Sequence, residues 1–276
     1  IDGRGLQAHP HFAGAGVRVG QFADGVSMFA FEGQANAGST TIGSVTNLAG
    51  GTILGNRFGI ILSGGGTVDN AGTIGGNVGS VVIQAQPTEA GRTGSLTNSG
   101  TLNGYVGFVN LATASLGNSG AINGPVVFGN VGSATVTNSG SIASSSSAGM
   151  DSDSALVLTN EATGTISGST SGIYSDGSSL SVDNAGVIRG NGSYDGFDAA
   201  PDGGIVFAGG PADIDNSGTI SGQRFGITTA YFFNPQTNQL EPRAIGSTVS
   251  NSGSIIGDTD DGVRLIGGGS INNSGT

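Results

Sequence analysis

The chain has 276 residues, 55 of them Gly, and its eight basic residues face 19 acidic ones for a net charge of −11. Neither Cys nor Lys occurs, which excludes disulfides, thiolate chemistry, Lys nucleophiles and Lys–Asn cross-links. So few basic side chains cannot neutralise a phosphate backbone, so nucleic acid is not an expected partner; divalent cations or basic partners suit the charge better.

Residues 1–44 come first and show no clear repeat, although FAGAGVRVGQFADGVSMFAFEG is aromatic for this chain. They read as an N-terminal cap or a degenerate first coil, since a bare coil end invites edge pairing. His9 and His11 lack a third metal ligand and read as a solvated pair.

From Val45 onward one unit recurs. It appears as VTNLAGGTILG at Val45, VDNAGTIGG at Val68, LTNSGTLNG at Leu96, LGNSGAING at Leu116 and VTNSGSIAS at Val136. It continues as LTNEATGTISG at Leu158, VDNAGVIRG at Val182, IDNSGTISG at Ile214, VSNSGSIIG at Val249 and INNSGT at Ile271. The anchors are Asn47, Asn70, Asn98, Asn118, Asn138, Asn160, Asn184, Asn216, Asn251 and Asn273. An aliphatic residue stands two before each, and in the unexpanded copies another stands four after (Ile74, Leu102, Ile122, Ile142, Ile188, Ile220, Ile255). A third apolar run closes most periods, as in VVI at Val81, VVF at Val126 and GIVF at Gly204. Short alternating runs separated by Asn, Ser and Gly predict strands and tight turns. Gly72, Gly100, Gly120 and their equivalents are expected to supply positive φ.

Three strands in a period near 22 residues predict an all-β fold, a right-handed parallel β-helix of about ten coils over residues 45–276, cut short at the C-terminal end. Stacking would place the anchor Asn side chains at one corner, where their amides can form a hydrogen-bonded ladder. Asn is also a turn former in its own right. Ten copies in register favour the ladder without removing that role.

Between copies, Gly79–Gly94 reads as a surface loop around Pro87, and SIASSSSAG after Asn138 as a flexible corner. The two longest gaps adjoin: Arg189–Gly204, with Tyr194, Asp195, Phe197, Asp198 and Asp202, and Arg224–Ala244, with Tyr231, Phe232, Phe233 and Arg243. Inserts on successive coils are expected to lie side by side, gathering rings beside carboxylates and amides as a weak binding site for a sugar or protein surface. Asp258, Asp260 and Asp261 offer oxygen ligands for calcium, but match no EF-hand or calcium β-roll pattern; a solvated acidic turn is the preferred reading, so no cofactor is expected.

The N-[SA]-G-x-[IL]-x-G units over Val45–Thr276 resemble the passenger domains of bacterial autotransporters and related β-helical surface proteins. The resemblance implies secretion and display on the bacterial outer surface or release outside the cell, with attachment through a C-terminal barrel that this chain lacks. A removed leader fits the initial Ile, and a chain ending inside a copy fits a fragment or processed product. No run of 18 apolar residues would span a membrane. Since passengers include adhesins, hydrolases and inert stalks, the resemblance leaves activity open.

No G-x-S-x-G elbow occurs and both His lie in the cap, so a Ser–His–Asp triad is not expected. Asp195, Asp198 and Asp202 near Arg243 would suit a polysaccharide lyase or hydrolase only if they lined a cleft. The expectation is a non-enzymatic adhesin, stalk or filament subunit with no catalytic residues. Its partners would be a cell-surface glycan, a protein, or further copies of itself. The alternative is a polysaccharide-acting enzyme on the same scaffold.

Overall fold

Strand-forming triplets too short to fold alone acquire a core only when the next coil lies on top of them. A computed structural model, which describes residues 17–19, 42–87, 89, 91–192, 202–234, 239–242 and 246–276, shows this stacking. Every described element is a strand, and the strands build a parallel β-helix.

The coil has three faces. The first is an 11-stranded parallel sheet whose rungs end at the anchor Asn, from Gly43–Asn47 through Thr113–Asn118 to Gly269–Asn273. Ten such rungs enclose nine turns. A further rung, Val17–Val19, pairs below Gly43–Asn47 with Val19 opposite Asn47. The second face stacks strands such as Thr52–Gly55, Ala121–Asn123, Val187–Gly190 and Ser254–Gly257, and the third stacks Phe58–Leu62, Val126–Gly129, Met150–Ser152 and Gly203–Phe207. These two faces share one 16-stranded sheet because Thr73–Gln84 and Thr101–Val109 run unbroken round the corner between them. Register shifts at Gly75/Gly79 and Gly79/Val81 take up that bend.

Register turns the repeat into columns. Val68, Leu96, Leu116, Val136 and Leu158 stack behind the first face. Ile74, Leu102, Ile122, Ile142 and Ile166 stack behind the second, and Val81, Val106, Val126, Met150 and Ile173 behind the third. All are buried in one continuous core. Each such side chain contributes roughly 1.5–3 kcal/mol through burial. Phe108 and Phe128 stack on successive rungs with ring centroids 5.1 Å apart.

The turn glycines serve a purpose other than the one expected. Gly72, Gly100, Gly120, Gly140, Gly186, Gly218 and Gly253 do not adopt positive φ. They stack on one another: a Cβ on Gly120 would strike the carbonyl oxygen of Gly100, and one on Gly140 that of Gly120. Glycine is required here by the close approach of backbone in the adjoining coil. One loop assignment changes as well. Gly79–Gln84 is strand, so the loop begins at Ala85. The serine run forms a corner tied to the coil where Ser144 N bonds Ser167 O at 2.9 Å and Ser147 N bonds Ser144 Oγ at 3.1 Å.

Candidate functional site

The anchor asparagines form one column at the corner after the first face. Asn47 Nδ2 donates to Asn70 Oδ1 at 2.8 Å, Asn70 to Asn98 at 2.7 Å, Asn98 to Asn118 at 2.8 Å and Asn118 to Asn138 at 2.8 Å. The chain of bonds continues from Asn138 to Asn160 and Asn184 at 2.8 Å each, then to Asn216, Asn251 and Asn273 at 2.7 Å each. All amides point the same way, so each polarises the next. The same Nδ2 also donates within its own turn, as from Asn118 to Gly120 O at 3.3 Å, and to the rung above, at Ser141 O 3.2 Å away. The side chain therefore closes its turn and binds its neighbour, and Asn47 to Asn251 are buried where an unpaired amide would be costly. Asn273, on the last rung, is exposed.

Sequence reasoning missed further pairs of this kind. Asn123 Nδ2 donates to Asn103 Oδ1 and Asn130 Nδ2 to Asn110 Oδ1, both at 2.8 Å, while Asn77 reaches Asn56 at 3.3 Å. The 20-residue offset of Asn103/Asn123 and Asn110/Asn130 matches that of Asn98/Asn118, and that coincidence was the available signal.

The two inserts that carry the expected binding residues leave the coil at separate places. The first insert leaves between the second-face strand Val187–Gly190 and the third-face strand Gly203–Phe207. The second leaves between the third-face strand Phe225–Thr229 and the first-face strand Ser247–Asn251. They depart from different corners, with the third face between them, because Gly203–Phe207 and Phe225–Thr229 belong to the coils and not to the inserts. Tyr194, Asp195, Phe197, Asp198 and Arg243 lie outside the described residues, as do His9 and His11. Asp202 is buried, its carboxyl against Gly192. Tyr231, Phe232 and Phe233 fall on Tyr231–Asn234, which pairs antiparallel with Gln239–Pro242 in a two-stranded ribbon separate from both large sheets.

The acidic turn is held by arginines. Arg224 Nε lies 3.2 Å from Asp260 Oδ2 and Arg264 Nε 3.9 Å from Asp261 Oδ2. Both guanidiniums sit over the Phe225 ring, at 4.7 and 5.3 Å. Asp258 is not joined to the other two in a ligand set, and among the described residues no three His or acidic side chains converge closely enough to hold a metal. A groove of about 310 Å³ runs outside the last rungs of the ladder, lined by Asp183, Asp215, Ser250 and Asn272, without a base or an aromatic ring.

The third face carries titratable groups that sequence reasoning did not single out as a site. Burial, then the charges of Asp176 and Asp153, raises the pKa of the Asp151 carboxyl. Burial, then Asp151, raises that of the Tyr105 hydroxyl, while burial followed by Asp176 and Asp151 does so for Tyr174.

The chain matches no known family model, no curated protein and no solved structure.

Proposed function

We propose that this chain is a bacterial β-helical rod, secreted or displayed at the cell surface, with a structural and adhesive role like that of autotransporter passengers. The observation that carries this reading is the unbroken asparagine ladder. Ten repeats devote their most regular residues to stacking one coil on the next, and the departures from regularity sit on the sides of the rod. Such an object spaces and presents contact surfaces. It stays folded without disulfides, because each coil is braced by its neighbours. Partners of this kind are a cell-surface glycan or protein, or further copies of the rod.

Beads coated with the full chain test this reading against epithelial monolayers and immobilised glycans, with light scattering for self-assembly. A parallel assay follows polysaccharide cleavage by reducing ends and unsaturated products. Adhesion or assembly without cleavage supports the proposal. Catalytic turnover of a polysaccharide would replace it with the enzyme alternative, and inertness in every assay would contradict the adhesive role.

A further inference from the structure

The three faces of the coil differ in what they turn outward. The first shows small hydroxyls and acids, such as Thr97, Ser115, Thr137 and Asp215, and the second shows Asn103, Asn123 and Ser167. On the third, the outward column runs Gly107, Val127, Asp151 and Tyr174 in register between Val82 and Val206, which are both buried; Tyr174 packs one side against Val206. Tyr105 points to the same side two residues before Gly107. Its phenol lies across that glycine, where a Cβ would collide with the hydroxyl and Cε1. Gly107 thereby seats the ring against the sheet.

Tyr105 on its glycine and Tyr174 stand three rungs apart, about 14 Å at the usual strand spacing, with Asp151 between them. Asp153 and Asp176 follow on successive coils at the adjoining corner, where their N–H groups bond Phe128 O and Ser152 O. The third-face strands from Gly79 to Phe207 contain no basic residue. No hydrogen bond or ion pair with a described residue reaches the Asp151 carboxylate. Each of the strands from Tyr105–Val109 to Ile173–Ser175 is paired on both sides, so no free backbone edge is offered to an added peptide strand. Recognition here falls to side chains: two half-buried rings in line with the rod axis, and carboxylates between and beside them.

Rings seated on a sheet stack against the apolar faces of sugars, and their spacing along the axis suits an extended polymer. The carboxylates repel uronates and sulfates and favour cations. We propose that this face binds an extended glycan bearing amino groups, laid along the rod axis, with Tyr105 and Tyr174 stacking on its sugar rings and Asp151 taking an ammonium group. The assignment rests on the adhesive reading above and moves its contact surface from the inserts to the third face. An ammonium there neutralises a carboxyl whose ionisation is opposed by burial and by Asp176 and Asp153.

Titration calorimetry of the full chain at about pH 6 tests this with a hexamer of glucosamine, its fully N-acetylated counterpart and a hexa-arginine peptide. The glucosamine hexamer should bind at least about tenfold more tightly than the acetylated one, which lacks the ammonium contact. Tyr105→Ala, Tyr174→Ala and Asp151→Asn should each weaken binding by about tenfold or more, whereas Thr135→Ala on the first face should leave it unchanged. Asp151→Asn should also melt higher than the wild type, so its loss of binding is not a loss of fold. Absence of glucosamine-hexamer binding, equal affinity for the acetylated hexamer, indifference to all three variants, or preference for the peptide would each overturn the assignment. Bead adhesion separates the two levels. Wild-type beads that adhere without binding the hexamer defeat this inference and spare the adhesive reading, while a wild-type chain that neither adheres nor self-assembles defeats that reading itself.

Discussion

Replacing Asn118 with Ala perturbs the ladder at its middle. The side chain donates to Asn138 Oδ1 at 2.8 Å, Ser141 O at 3.2 Å and Gly120 O at 3.3 Å, and it accepts from Asn98 Nδ2 at 2.8 Å. Asn98 Nδ2 keeps Gly100 O and Ala121 O, each at 3.3 Å, so the donor side is partly compensated. Asn138 Oδ1 has no such reserve and is left buried without its ladder donor. Two lost ladder bonds at about 1 kcal/mol each, with about 1 kcal/mol or more for the orphaned acceptor, give a destabilisation of about 3 kcal/mol. Asn273→Ala removes one ladder bond and the 3.2 Å bond from its Nδ2 to Gly275 O, at an exposed rung where water can replace them, and should cost under about 1 kcal/mol. Asn118→Ala/Asn138→Ala should cost less than the sum of its parts, because the shared bond is lost only once. Urea unfolding with hydrogen exchange measures this, exchange being needed because repeat arrays can open in sections. Equal costs at Asn118 and Asn273, or a cost below about 0.5 kcal/mol at Asn118, would refute the ladder as a source of stability.

Gly120→Ala should destabilise the rod, since its Cβ meets the Gly100 carbonyl, whereas Gly117→Ala, with open space at its Cβ, should be close to neutral; paired thermal melts decide. Phe128→Ala removes a fully buried ring stacked on Phe108 and should cost roughly 3–5 kcal/mol by urea titration. The pKa of Asp151 is raised above the ordinary 3.8 by burial, then by Asp176 and Asp153, so the folded chain holds this proton more tightly than the unfolded one. Stability from this group therefore falls as pH rises from the ordinary value through the raised one. Asp151→Asn should melt higher than the wild type at about pH 7, and the gap should close at about pH 3; melting curves across that range test the sign.

The column of anchor asparagines was readable in the sequence because the motif fixes where each lies within its coil, whatever the length of the insert that follows. The apolar columns were readable for the same reason, with Leu116 two residues before its anchor and Ile122 four after. What escaped depends on contacts between coils. The need for glycine at Gly120 is set by the carbonyl of Gly100, which lies 20 residues away in sequence and against it in space. The corner from which the second insert leaves escaped because Phe225–Thr229 reads as part of an irregular gap, and only its pairing with Gly203–Phe207 returns it to the third face. Tyr105, Asp151 and Tyr174 stand at unequal distances from their own anchors, so the column they share appears only once the rungs are stacked.

The central claim is that rung number, and not separation in sequence, sets distance along this molecule. The absence of native Cys allows spin labels at outward positions of the first face. Thr97 and Ser250 are six rungs apart and Thr46 and Ser250 eight, in one register. Pulsed electron paramagnetic resonance should give backbone separations of about 29 and 38 Å, a rise of about 4.8 Å per rung. Distances that do not scale with the rung count would contradict the stacked, in-register β-helix and the ladder built on it.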